Sequence, residues 1–247
     1  MGRIIAVASG KGGTGKTTTV AAVSSCLAAL GHKTLCIDFD SGLRNLDLAL
    51  CMTSFTVVDY MDVVSNRLDL MEACHENTQI PKLFFLAAPA SGDPEEQEAC
   101  DVMPMFAEIR REFDYCIVDS PSGIGAGVRL AHADADTSII VTTGELPAMR
   151  DAQKTANVIR DMGVGDLRLL VNRVLKKNIK WLHTTIDDVI DTVGVQLIGI
   201  VPEDDTVFRA LHDNVPLILH HNRRAAYDFL DVARRITGES IPLRRWR

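Results

Sequence analysis

Gly10-Lys11-Gly12-Gly13-Thr14-Gly15-Lys16-Thr17-Thr18 is the stretch that decides the fold. From Gly10 to Thr17 it fits the phosphate-binding pattern G-x-x-x-x-G-K-[ST], and it carries a second lysine, Lys11, near its start. The apolar run Ile4–Ala8 precedes it and the helix-like segment Thr17–Leu30 follows. A strand, a glycine-rich turn and a helix N-terminus together make an anion site. Glycines let backbone N–H groups close around phosphate oxygens. In that frame Lys16 reaches the β- and γ-phosphates and the Thr17 hydroxyl ligates Mg²⁺. A glycine-rich turn that binds nothing is the plainer alternative, and the full motif in this setting argues against it.

Outward from the loop, short apolar runs recur between helix-like segments: Ile4–Ala8, Thr34–Asp38, Leu83–Ala87, Tyr115–Asp119, Thr137–Thr142, Leu167–Asn172 and Gln196–Val201. Most are nearly continuous in apolar character, which suits strands buried on both faces of a parallel sheet. Phe106–Phe113, Pro147–Met162 and Ile186–Val193 have helical spacing, and Ala225–Ile236 reads as a closing helix ended near Gly238. Alternation of this kind predicts an α/β fold, a single doubly wound and mostly parallel sheet with helices on both faces. Residues 1–247 are expected to form one domain, with 239–247 a short basic tail. The loop-like tract Pro89–Glu96 reads as a surface connection.

A ligand of such a sheet binds beyond the carboxyl ends of its strands, and the polar landmarks fall there. Asp38-Phe39-Asp40 ends one strand; its carboxylates suit Mg²⁺ or an attacking water, or are simply solvated loop acids. Asp119 ends another and fits an acid that holds Mg²⁺ directly or through water, or else a turn former. Ser120-Pro121-Ser122-Gly123 then forms a turn placed to sense a γ-phosphate. Asn172, before Arg173, can donate to and accept from an adenine edge, or merely end its strand. Pro202-Glu203-Asp204 follows the last strand, as a wall of the base site or as a turn and helix cap.

Composition narrows the partners. Nearly half of the 247 residues are hydrophobic, enough for a sizeable core, and the net charge of −7 disfavours nucleic acid as the main partner. The cysteines Cys26, Cys36, Cys51, Cys74, Cys100 and Cys116 form no C-x-x-C pair, and Cys36 and Cys116 read as small core residues of a reduced chain. The start of the chain runs straight into a strand, which predicts no signal peptide, and no apolar run approaches a membrane span. The seven histidines lack zinc spacing, and the adjacent His220 and His221 are expected to diverge. Trp181, within Lys176–His183, reads as an anchoring aromatic.

The two-lysine loop Lys11–Thr18 resembles the deviant Walker-A motif of the ParA/MinD ATPase superfamily. IDFDSGLRNLDL at Ile37–Leu48, VDSPSG at Val118–Gly123 and IVPED at Ile200–Asp204 narrow the resemblance to its MinD branch of septum-site-determining ATPases, over about Met1 to Gly238. The run Gly42-Leu43-Arg44-Asn45-Leu46-Asp47 discriminates most, because partition ATPases and flagellar-number regulators share the phosphate loop. The resemblance implies a Mg²⁺-dependent ATPase that cycles between a monomer and an ATP-bound homodimer. Lys11 would reach the partner's phosphates while Lys16 serves its own. Thr17 would bind Mg²⁺, Asp40 would position the attacking water, Asp38 and Asp119 would sit in the two switches, and Asn172 would hold adenine. The helix beginning near Arg150 and Asp151 would meet MinC-like and MinE-like proteins, and the chain would be cytoplasmic with transient contact at the inner face of the cell membrane.

Two departures accompany the resemblance. Gly125 stands where the family usually has a glutamate. The segment Ile241-Pro242-Leu243-Arg244-Arg245-Trp246-Arg247 is not the amphipathic helix usual there, since Pro242 opposes helix and the apolar surface is small. It leaves Leu243, Trp246 and three arginines for weak contact with anionic lipid. A cargo-partitioning or flagellar-number ATPase is the second reading. An ATP-dependent biosynthetic ligase or amidase on the same fold is the third, and the chain shows no amidase nucleophile motif.

Overall fold

Strand β1 (Arg3–Ala8) lies near the middle of an eight-stranded sheet, in the order β3-β4-β2-β5-β1-β6-β7-β8. The computed structural model describes residues 1–41, 44–52, 58–90, 100–175, 185–221 and 224–244. The other strands are β2 (Thr34–Asp38), β3 (His75–Glu76), β4 (Leu83–Leu86), β5 (Tyr115–Asp119), β6 (Thr137–Thr142), β7 (Asp166–Val174) and β8 (Gln196–Pro202). Every pairing is parallel except β3 with β4. β2, β5 and β6 are buried along their whole length, which is why their centres, Leu35–Ile37, Cys116–Val118 and Ile139–Val141, are continuously apolar rather than alternating.

Among the described residues the helices are α1 (Lys16–Ala29), α2 (Leu46–Ala49), α3 (Tyr60–Val64), α4 (Leu70–Ala73), α5 (Met103–Glu112), α6 (Ala126–Ala131), α7 (Leu146–Asp161), α8 (Ile186–Val193), α9 (Asp205–His212) and α10 (Arg224–Ile236). Ile5 and Val7 of β1 face the layer of α1 and α10, with Val20, Leu27, Phe229 and Val232. Ile4 and Ala6 face the opposite layer, with Phe106 and Ile109 of α5, and Ala8 joins Met149 and Ile159 of α7 there. Two covered faces make the doubly wound fold expected from the alternation of elements. Burying a Leu- or Phe-sized side chain contributes about 1.5–3 kcal/mol, so these layers supply the main stabilising term.

Several elements differ from the sequence reading. The edge strand β3 and helices α2, α3 and α4 were not expected, because two to five residues carry no periodic signal. Their caps do leave a trace: Asp59 with Asp62, and Asp69 with Glu72, form capping boxes. The rings of His220 and His221 do not diverge but lie 4.1 Å apart, because they occupy an irregular turn rather than a helix or strand. Not all of the tail's charge is free: Arg244 donates to Asp231 at 3.1 Å, and Arg235 holds the carbonyls of Ile241 and Pro242 at 2.9 and 3.0 Å. Gly42, Leu43, Trp181 with the whole of Lys176–His183, most of the Pro89–Glu96 tract, and Arg245, Trp246 and Arg247 lie outside the described residues.

Candidate nucleotide site

The phosphate loop joins β1 to α1 at the carboxyl edge of the sheet. Gly15 caps α1 in the left-handed region at φ 90°, and Gly13 sits at φ 82°. A Cβ on Gly15 would also lie 2.2 Å from Asn172 Nδ2, so no larger residue fits there. Gly10 is needed for another reason: a Cβ on it would meet the Asp151 carbonyl at 2.4 Å, so the loop rests directly on the first turns of α7.

A cavity of about 220 Å³ opens at the loop, lined among others by Ser9, Lys16, Thr17, Asp40, Asp119 and Ser122. Lys16 is buried and its Nζ forms an ion pair with Asp119, also buried. Burial pushes the Asp119 carboxyl up while Lys16 holds it down, and the net direction is upward. Asp38 pairs in register with Asp119 across β2 and β5. Its pKa is pushed up to about 7, first by burial and then by the Asp119 charge, against the hydrogen bond that its Oδ1 accepts from Asp40 N–H at 2.8 Å. Two buried carboxyls therefore share one buried cation, a charge-poor arrangement that a bound cation would relieve. The turn after Asp119 is tied to β1: Ser120 Oγ donates to Val7 O at 2.9 Å and Gly123 N–H to Ser9 O at 3.0 Å.

The residues fit a Mg²⁺-bound triphosphate. Nothing lies within 4 Å of where a Cβ would stand on Gly12 or Gly13, so the cradle is open, and the buried Ser9 hydroxyl that lines it has no protein partner. Among the described residues no group of three or more His, Cys, Asp or Glu forms a ready metal cage. A magnesium site of this type takes most of its ligands from phosphate and water, with few from the protein.

An adjoining cavity of about 300 Å³ collects the residues expected around the base: Asn172, Pro202, Glu203 and Asp204, with Val207. Asn172 spends its amide N–H₂ on the phosphate loop, donating to Thr14 O at 2.9 Å, a bond the sequence reading did not foresee. Asp204 caps α9 by accepting from Thr206 N–H at 2.9 Å, so its cap alternative is realised. Arg173, read only as the neighbour of Asn172, lines this cavity and pairs with Glu203 at 2.8 Å. The trace it leaves in the sequence is a charge directly after an apolar strand and its asparagine. Lys11 is exposed, lines a cavity of about 380 Å³ with Glu145, Arg173 and Glu203, and forms no ion pair among the described residues. The helix expected to begin near Arg150 and Asp151 starts earlier, at Leu146 after the N-cap Glu145, because Pro147 suits its first turn; Arg150 and Asp151 lie in its second turn, Asp151 against Gly10, rather than inside either cavity. Gly125 is the extended N-cap of α6. No helix among the described residues is long and apolar enough to cross a membrane.

Comparison with known proteins agrees with this geometry. The family model described as the CobQ/CobB/MinD/ParA nucleotide binding domain matches residues 5–217. The septum site-determining protein MinD of Bacillus subtilis is 36% identical over 246 residues, covering 98% of this chain and 92% of that protein. Among solved structures, a chain of the MinC:MinD cell division protein complex of Aquifex aeolicus superimposes with a TM-score of 0.88 at 34% identity, covering 99% of each chain. The septum site-determining protein MinD complexed with Mg-ADP from Pyrococcus horikoshii gives a TM-score of 0.82 at 25% identity, covering 96% of each chain. Sequence, fold and site together place the chain in the MinD/ParA nucleotide-binding family, and within it the chain belongs to the MinD branch of septum-site-determining ATPases.

Proposed function

We propose that the chain hydrolyses Mg²⁺-ATP in a monomer–dimer cycle that positions the division septum, with residues 1–247 acting as one ATPase domain. The observation that carries this reading is the meeting of Lys16, Thr17, Asp40 and Asp119 around one cavity, with Asn172, Pro202, Glu203 and Asp204 around the next. Gly10 to Thr18 cradle the phosphates, and the Gly12, Gly13 and Gly15 backbone serves there because it carries no side chain. With nucleotide bound, Lys16 would pair with phosphate oxygens in place of Asp119, and Thr17, Asp38 and Asp119 would be the residues to hold the metal. Mg²⁺, when bound, neutralises charge that builds on the phosphoryl oxygens. Asp40 orients the water, and Lys11 contributes its charge to the second copy's phosphates.

The first turns of α7, at Arg150 and Asp151, are the surface for MinC-like and MinE-like partners. Because Asp151 packs on Gly10, a partner seated there presses on the phosphate loop itself. The chain works in the cytoplasm and touches lipid weakly, since Arg244 is already paired with Asp231. Specific nucleic-acid binding is not expected from its negative net charge.

The deciding experiment is light scattering of Lys11→Ala with a non-hydrolysable ATP analogue. That variant should bind the analogue as a monomer while the unmodified chain dimerises. A normal nucleotide-dependent dimer from Lys11→Ala would refute the shared-site cycle.

A further inference from the structure

Strand β7 loses its regularity where it reaches the phosphate loop. Its register with β8 shifts between Val171 and Val174, and Arg173 adopts φ +54°, a region that costs a non-glycine residue. On a regular strand consecutive side chains point to opposite faces. Here Asn172 and Arg173 both reach the loop. Asn172 Nδ2 donates to the Thr14 carbonyl and Arg173 Nη1 to the Gly13 carbonyl, each at 2.9 Å. Glu203, anchored by its own N–H to Val174 O at 3.1 Å, holds the guanidinium from the other side through Nε at 2.8 Å.

The consequence follows from peptide geometry. In a trans peptide the C=O and the N–H of one unit point in opposite directions, and no cis bond occurs among the described residues. Fixing the Gly13 carbonyl therefore aims the Thr14 N–H away from Arg173. Fixing the Thr14 carbonyl likewise aims the Gly15 N–H away from Asn172. The phosphate cavity is lined by Gly13 and Gly15 but by neither Asn172 nor Arg173. Gly13 and Gly15 are the residues around which these peptides would flip most freely, and a flipped carbonyl would face phosphate oxygens.

Resting on the nucleotide-site reading, we propose that Asn172 and Arg173 are positioning residues for the triphosphate, an outer clamp that presets two loop N–H groups before nucleotide arrives. The role is distinct from contact with the base. The Arg173 and Glu203 side chains are 52% and 37% exposed, so their ion pair adds little stability and mainly orients the guanidinium.

The test is displacement of a fluorescent ATP analogue by ATP and by inorganic tripolyphosphate, which has no base. Arg173→Ala should weaken both competitors by the same factor, about tenfold for one lost charge-assisted hydrogen bond. The unfolding midpoint of the ligand-free protein should stay unchanged. Glu203→Gln should give a smaller loss, again equal for the two. Should Arg173→Ala not fold, Arg173→Lys serves: one ammonium on a flexible stem cannot reproduce the fork that holds both Gly13 and Glu203, so the same paired loss is expected. Weakened ATP with undiminished tripolyphosphate assigns Arg173 to the base and overturns the clamp, as does no change in either. Lys16→Ala in the same assay separates the two levels. If it loses tripolyphosphate and Arg173→Ala does not, only the clamp fails. If neither does, the phosphate site itself is wrong.

Discussion

Replacing Asp38 by asparagine should make the nucleotide-free chain more stable at pH 8, by an advantage that vanishes in acid. Asp38 is 1% exposed, and its carboxyl is pushed from 3.8 up to about 7, by burial first and by Asp119 second. One pKa unit corresponds to about 1.36 kcal/mol, so a shift of roughly three units makes the ionised carboxyl cost about 4 kcal/mol at pH 8. The folded pKa is the raised one. The group is therefore at no disadvantage below pH 3.8, and the cost builds as pH rises through the window up to about 7. At pH 4 it has shrunk to roughly 0.5 kcal/mol. Asparagine keeps the size and the acceptor for Asp40 N–H, at 2.8 Å. Burying its new N–H₂ group takes back about 1–2 kcal/mol, leaving a net gain of about 2–3 kcal/mol at pH 8 and a net loss of about 1 kcal/mol at pH 4. Urea unfolding followed by circular dichroism, with EDTA and no nucleotide, measures this directly. A gain of equal size at both pH values, or a loss at pH 8, would refute the account of two buried acids sharing Lys16.

Three further outcomes are expected. Lys16→Ala should lower ATP affinity at least 100-fold, and it leaves Asp119 buried without its cation, so the chain should also lose about 3–5 kcal/mol of stability near neutral pH; calorimetric titration at wild-type affinity would remove Lys16 from the site. Asp40→Ala should bind ATP within about threefold of wild type yet turn over at least tenfold more slowly, accumulating the ATP-bound dimer, and an unchanged steady-state rate would exclude it from water positioning. His132, buried with Nδ1 2.7 Å from Val128 O and Nε2 3.0 Å from Ser138 Oγ, has its pKa lowered from 6.5 to about 4, chiefly by burial. Its contribution is complete above pH 6.5 and is lost toward pH 4, about 3 kcal/mol in all, so His132→Gln should flatten the acid limb of the stability profile; an unaltered limb would show that His132 does not titrate there.

How much was legible depended on whether a signal was local. The phosphate loop, strands β1, β2, β5, β6 and β8 and helices α1, α7 and α10 could be read off because each rests on contiguous residues. A continuous apolar run suffices for a strand buried on both faces, and Gly13 and Gly15 occur where the chain must take positive φ. Strand-end acids were legible as candidates because a parallel sheet brings its carboxyl ends to one edge. The tertiary structure alone decided what those groups do to one another. Lys16 and Asp119 are 103 residues apart in the chain, yet they form one buried pair, and it is the register of β2 beside β5 that puts Asp38 next to them and moves its pKa. Arg173 became a clamp only through the irregularity of β7, and Glu203 its support only because β8 ends beside it. Propensity and spacing act over a turn or a strand. Ionisation, ion pairing and the direction of a loop carbonyl depend on neighbours that distant segments bring within about 4 Å, where Coulomb and hydrogen-bond energies become large.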